Sequence, residues 1–146
     1  MRAACILGLA LLACAREAPA PARASMRIEI ECRTGPIPAP PGKQPITSRS
    51  VAIESDGTLT KTTRYLKPPS DENKTRLADA DLERIRGLAE KVLEKGDFPK
   101  EQPVPDGTVC TLDLWRPSKK LRLVTPHPSS TPELGPLVSE LHALLP

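Results

Sequence analysis

The residues MRIEIECR, Met26 to Arg33, alternate apolar and charged side chains without a break. Met26, Ile28, Ile30 and Cys32 point one way, and Arg27, Glu29, Glu31 and Arg33 point the other. A period of two is the mark of a half-buried β-strand. The pattern recurs in TVCTLDLW, Thr108 to Trp115, where Cys110, Leu112 and Leu114 share a face. Two independent alternations therefore place Cys32 and Cys110 on inward faces. The other two of the four cysteines, Cys5 and Cys14, lie close to the N-terminus. An even pair left in an exported chain reads as a disulfide. Closing a loop of about 80 residues contributes roughly 4–5 kcal/mol in the chain-entropy account. The alternative is two buried free thiols.

Working outward, SRSVAIESDGTLTKTTR, Ser48 to Arg64, reads as a hairpin about Asp56-Gly57. A two-residue turn would put Leu59 on the face away from Val51 and Ile53. A three-residue turn, Ser55-Asp56-Gly57 with Gly57 left-handed, pairs Ile53 with Leu59 and keeps one apolar face. A second hairpin joins TVCTLDLW to KLRLVT across the four residues RPSK, pairing Leu114 with Leu121 and Leu112 with Leu123. Residues 34–46 contain five prolines and read as a stiff extended connector. Residues 66–76, LKPPSDENKTR, read as a polar loop.

Two helices complete the domain. Leu82, Ile85, Leu88, Ala89, Val92 and Leu93 form an apolar stripe over Asp79 to Lys95. Acids open that helix, lysines close it and Gly96 stops it. The last helix spans Pro136 to Leu145, or begins as early as Glu133, with its stripe on Leu134, Leu137, Val138, Leu141, Leu144 and Leu145. The predicted fold is α+β: about five antiparallel strands in the order β-ββ-α-ββ-α, with both helices packed on one face. The other face carries Glu29, Glu31, Thr60, Thr111 and Asp113, and faces water.

Ahead of this domain, Arg2 precedes an apolar run from Ala3 to Ala13, far short of the roughly 20 residues that span a bilayer. A charged start and a short apolar core match a signal peptide. The run ends in Leu11-Leu12-Ala13-Cys14, which resembles the lipobox of bacterial lipoproteins. That resemblance implies a signal peptide over residues 1–13, diacylglycerol on the Cys14 thiol, and attachment to a membrane. Residue 15 is Ala rather than the Asp of an inner-membrane retention signal, so the outer membrane is favoured. Residues 14–25 are then an Ala/Pro-rich tether, and residues 26–146 a single domain. The competing site is Ala22-Arg23-Ala24, where cleavage before Ser25 would release a free secreted chain.

Composition narrows the function classes. The chain has 21 Lys and Arg against 18 Asp and Glu, and losing Arg2 leaves 20 against 18. So small a bias gives no reason to expect nucleic acid. The two histidines, His127 and His142, have no second His or Cys at ligand spacing, so no metal is expected. No G-x-S-x-G elbow and no glycine-rich phosphate loop occurs. Ser129 and Ser130 follow His127 too closely in the chain to be expected to work with it. The paired acids Asp79/Asp81 and Glu29/Glu31 read as a helix start and a solvated strand face. The expectation is a binding or scaffold protein, with no catalytic residues and no cofactor. The densest basic run, Arg116 to Arg122, includes Arg116, Lys119 and Lys120 and follows directly on Trp115. These four residues are the expected partner surface, for an envelope protein or glycan.

One further likeness concerns the domain. MRIEIECRTG, a helix ending before Asp97-Phe98, DGTVCTLDLW and the closing PLVSELHALL resemble the layout of emfourin-type inhibitors of bacterial metalloproteases. That resemblance implies a lipid-anchored protease inhibitor as the alternative function. The glycine-rich turn of that family is replaced here by Gly35-Pro36-Ile37-Pro38, and a hairpin is added. Small uncharacterised bacterial domains with an I-x-x-D-G hairpin before a helix look similar through Ile53 to Gly57.

Overall fold

A computed structural model describes residues 25–35, 39, 41, 42 and 44–146. The expected signal peptide, Cys14, the tether up to residue 24, and parts of the proline-rich connector lie outside the described residues. The alternating strand β1 (Arg27–Arg33) lies inside the sheet with a neighbour on each side. On one side it pairs with β2 (Ile46–Ile53), which continues into β3 (Thr58–Tyr65) and β4 (Asp71–Arg76). On the other side it pairs with β5 (Thr108–Arg116), which turns into β6 (Lys119–His127). All five pairings are antiparallel, and the spatial order is β4-β3-β2-β1-β5-β6. Helix α1 (Asp79–Lys95) joins the two wings, and α2 (Leu134–Ala143) ends the chain.

The α+β class stands, with six strands in place of five. The added strand is β4, in the segment that reads as a loop. Its sequence, DENKTR, has no apolar residue, and every one of its side chains is exposed. A strand that lies beyond the core needs no buried face. Its backbone ladder to β3 and the bond from the Tyr65 hydroxyl to Asp71 hold it, so it leaves no alternation to read. Lysine and acids on such an outer edge also discourage pairing with other chains.

Both hairpin registers follow the apolar patterning. Ile53 pairs with Leu59, Gly57 has φ of 88°, and the Glu54 amide donates to the Thr58 carbonyl. Asp56 Oδ1 accepts the Thr58 amide at 2.8 Å and so holds the turn. In the second hairpin Leu114 meets Leu121 and Leu112 meets Leu123. The turn there is tighter than RPSK: Arg116 pairs with Lys119, so only Pro117 and Ser118 are unpaired. Moving from four loop residues to two adds one rung and leaves the register unchanged.

The core lies between one sheet face and the helices. Ile28, Ile30, Val51, Ile53, Leu112 and Leu114 meet Ile85, Val92, Leu93, Leu137, Val138 and Leu141, all nearly inaccessible to water. The helices run antiparallel, since Lys95 at the end of α1 pairs with Glu133 before α2, and Arg84 near the start of α1 pairs with Glu140 late in α2. Helix α1 lies along one end of the sheet. Leu82 abuts Gly57, Arg86 donates to the Ser55 carbonyl, Arg116 pairs with Glu90, and Lys119 donates to the Leu93 carbonyl. That end therefore gathers the start of β1, the β2–β3 turn and the β5–β6 turn.

Candidate functional site

The opposite sheet face is open and polar. In cross-strand rows it presents Lys74, Thr60, Ala52, Glu29, Asp113 and Arg122, and beside them Glu72, Thr62, Ser50, Glu31, Thr111 and Val124. The residues expected to be wet all lie here. Asp113 is nonetheless nearly inaccessible: Arg122 stands 3.4 Å from one carboxylate oxygen, and the other has no hydrogen-bond partner among the described residues. Glu31 is held by Arg64 at 2.8 Å.

Trp115 occupies the corner of this face. Register places it between Arg27 on β1 and Lys120 on β6. The Arg27 guanidinium and the Lys120 ammonium each lie 5.3 Å from the ring centroid, within reach of a cation–π attraction. Arg27 also pairs with Glu29 at 3.2 Å and Glu54 at 3.3 Å. A shallow groove of about 280 Å³ runs beside the ring, lined by Ser25, Arg27, Glu54, Trp115 and Pro117.

The four residues expected to form one partner surface thus divide between two faces. Alternation sends Trp115 and Lys120 to the open face. Arg116 and Lys119, one residue nearer the turn on each strand, face the helices. There Arg116 pairs with Glu90 and Lys119 caps a carbonyl near the end of α1. A cation at that position also complements the negative end of the helix dipole. Two of the four cations in the basic run have therefore been taken up by the fold.

At the far end of the sheet, His127 on β6 and His142 on α2 stack with centroids 3.7 Å apart and rings 11° from parallel. Burial, then His127, then Arg49 lower the pKa of His142, so the neutral ring is favoured. Arg49, Cys32 and His142 border a cleft of about 200 Å³. Fifteen residues separate the two histidines in sequence, and no local spacing signals their meeting. Among the described residues no three His, Cys, Asp or Glu side chains gather at ligand distance.

The serines beside His127 face a carboxylate, not an imidazole. Glu101 accepts from Thr125 Oγ1 at 2.7 Å, Ser129 Oγ at 2.6 Å, Ser130 Oγ at 2.6 Å and the Ser130 amide at 2.7 Å. Burial alone would raise its pKa. The hydrogen bonds from Ser129, Ser130 and Thr125 outweigh burial and carry it down to about 2. Sequence reasoning passed over Glu101 because it stands in a loop with no motif. Its depressed pKa means its contribution to stability is complete above about pH 4.5 and is lost as the pH falls towards 2. Because the group keeps some access to water, Glu101→Gln is expected to cost about 1–2 kcal/mol at pH 7. In urea melts at pH 7 and pH 3 the deficit shrinks at the lower pH. An equal deficit at both would remove Glu101 as the ionised clasp.

Cys32 and Cys110 face each other across β1 and β5, with sulfurs 2.01 Å apart, the distance of a disulfide. Cys14 lies outside the described residues. No helix among the described residues is long and apolar enough to cross a membrane. Comparison with protein-family models, curated proteins and solved structures finds no match.

Proposed function

We propose that the chain is a lipoprotein of the cell envelope, anchored through Cys14, whose domain acts by binding and not by catalysis. The single observation that carries this reading is Leu11-Leu12-Ala13-Cys14 at the end of a short apolar run. Two acyl chains on one thiol satisfy the two-signal requirement for lasting attachment. Ala15 favours the outer membrane. The envelope is oxidising, which suits a Cys32–Cys110 bridge.

The non-catalytic part draws support from how the reactive side chains are used. His127 and His142 stack on one another, Ser129 and Ser130 serve Glu101, and the inward cysteines face each other. Trp115 and Lys120 remain on an open face, where an envelope protein or glycan can reach them.

Mass spectrometry of the native protein tests the anchor. The expected chain begins at Cys14, carries a diacylglycerol mass there, and lacks two protons at Cys32 and Cys110. An unlipidated chain beginning at Ser25 overturns the anchored reading and leaves a secreted protein in its place.

A further inference from the structure

The cations of the basic run differ in what already neutralises them. Arg116 has Glu90, and Arg122 has Asp113 at 3.4 Å. Lys119 donates to the Leu93 carbonyl on the helix face, at the negative end of α1. Lys120 is exposed, lies over the Trp115 ring and has no carboxylate within ion-pair distance among the described residues. Lys120 and the only tryptophan of the chain face each other across the hairpin, one rung back from the two-residue tip Pro117-Ser118. An indole body beside a free ammonium group is the side-chain pairing that settles at a membrane–water boundary.

The second observation concerns where the chain enters the domain. Ser25 and Met26 line the same groove as Trp115, because Arg27 is its cross-strand partner. Eleven residues lead from Cys14 to Ser25, a reach of at most about 40 Å. A lipid on Cys14 would therefore keep this corner within about 40 Å of the bilayer.

We propose that the Trp115–Lys120 corner is a docking surface for anionic phospholipid that sets how the domain stands on its membrane. This deepens the anchored reading and rests on it for proximity. One uncancelled lysine raises partition onto an anionic surface by on the order of five-fold. That is too weak to recruit a free chain. It is enough to orient one that a tether already holds at high local concentration. Arg27 lies 5.3 Å from the indole on the side of β1, across the ring's strand from Lys120 on β6.

The only tryptophan makes the test direct. The native protein is placed on vesicles of phosphatidylcholine alone, or with one third phosphatidylglycerol, and Trp115 emission and acrylamide quenching are read. On anionic vesicles the emission moves to shorter wavelength and quenching falls about two-fold. The change disappears in 0.5 M NaCl and in Lys120→Glu, an exposed substitution that leaves the thermal melt in place. A spectrum indifferent to lipid charge, or a Lys120→Glu protein that responds like the wild type, overturns the proposal. Flotation of the same samples reads the anchor separately. Failure to float with neutral vesicles counts against lipid on Cys14, whereas a charge-blind Trp115 counts against the docking surface alone.

Discussion

Replacing Cys32 and Cys110 together with alanine lowers the stability of the domain by about 4 kcal/mol, in line with the closure entropy of the long loop between them. The two residues are 78 apart in sequence, and between them lie β2, β3, β4 and α1. The cross-link therefore restrains most of the unfolded chain. It also joins the two strands that bind the wings of the sheet together, since β1 belongs to the four-strand meander and β5 to the second hairpin. For a domain of this length the melting temperature falls by about 15 °C. Alanine also removes two sulfurs from the core, where Cys110 is fully buried and Cys32 nearly so. Reduced wild-type protein separates the contributions, because it keeps the sulfur volume and loses only the cross-link. Calorimetry of oxidised, reduced and doubly substituted protein is expected to rank them in that order. Oxidised and reduced protein melting together would mean two free thiols.

Much of this could be read from the sequence because the decisive residues alternate. Along β1 and β5 the apolar core residues fall at every second position, so direction, facing and the inward cysteines all follow from period two. The Ile53–Leu59 register was legible for the same reason: only one turn length kept a common apolar face. Helix α1 announced itself through its stripe and through Gly96, which takes φ of 69° at the helix end and returns its amide to Val92. What escaped notice was whatever is held by backbone or by long-range meetings. Strand β4 buries no side chain, so composition marks it only as polar. The Glu101 clasp joins residues 24 to 29 apart, and the His127–His142 stack joins a strand to a helix.

The basic run shows a subtler limit. Composition shows that Arg116, Lys119 and Lys120 are close together. It does not show that a two-residue turn sends the first two to the helices and the third to the open face. Strand alternation gives the difference only once the turn length is fixed, and a four-residue loop would have left Arg116 and Lys119 unpaired at the tip. The surface proposed for a partner is therefore narrower than the sequence suggests: Trp115 and Lys120 with Arg27, an arginine 88 residues before the tryptophan.

Leu112→Ala is expected to be about as damaging as loss of the bridge, at about 3–4 kcal/mol. Leu112 has no accessible surface, and it stands between Ile30 on β1 and Leu123 on β6. Neighbours fixed in two adjacent strands cannot collapse into the space without disturbing their own ladders, so the cavity term adds to the lost transfer energy. Leu123→Ala provides the control. It removes the same atoms from the same row, but from the edge strand, where the side chain is only partly covered. Its expected cost is about 1–2 kcal/mol, because water already reaches part of it and can fill the remainder. Urea denaturation of both variants, with unchanged slopes, measures the difference directly. Equal costs would mean that β6 is as deeply buried as β5, and that the sheet continues under a covering the described residues do not show. A domain of this size has a total stability of about 5–15 kcal/mol. Leu112→Ala in reduced protein is therefore expected to approach unfolding at 37 °C, whereas Leu123→Ala in reduced protein stays folded and keeps the Trp115 corner intact.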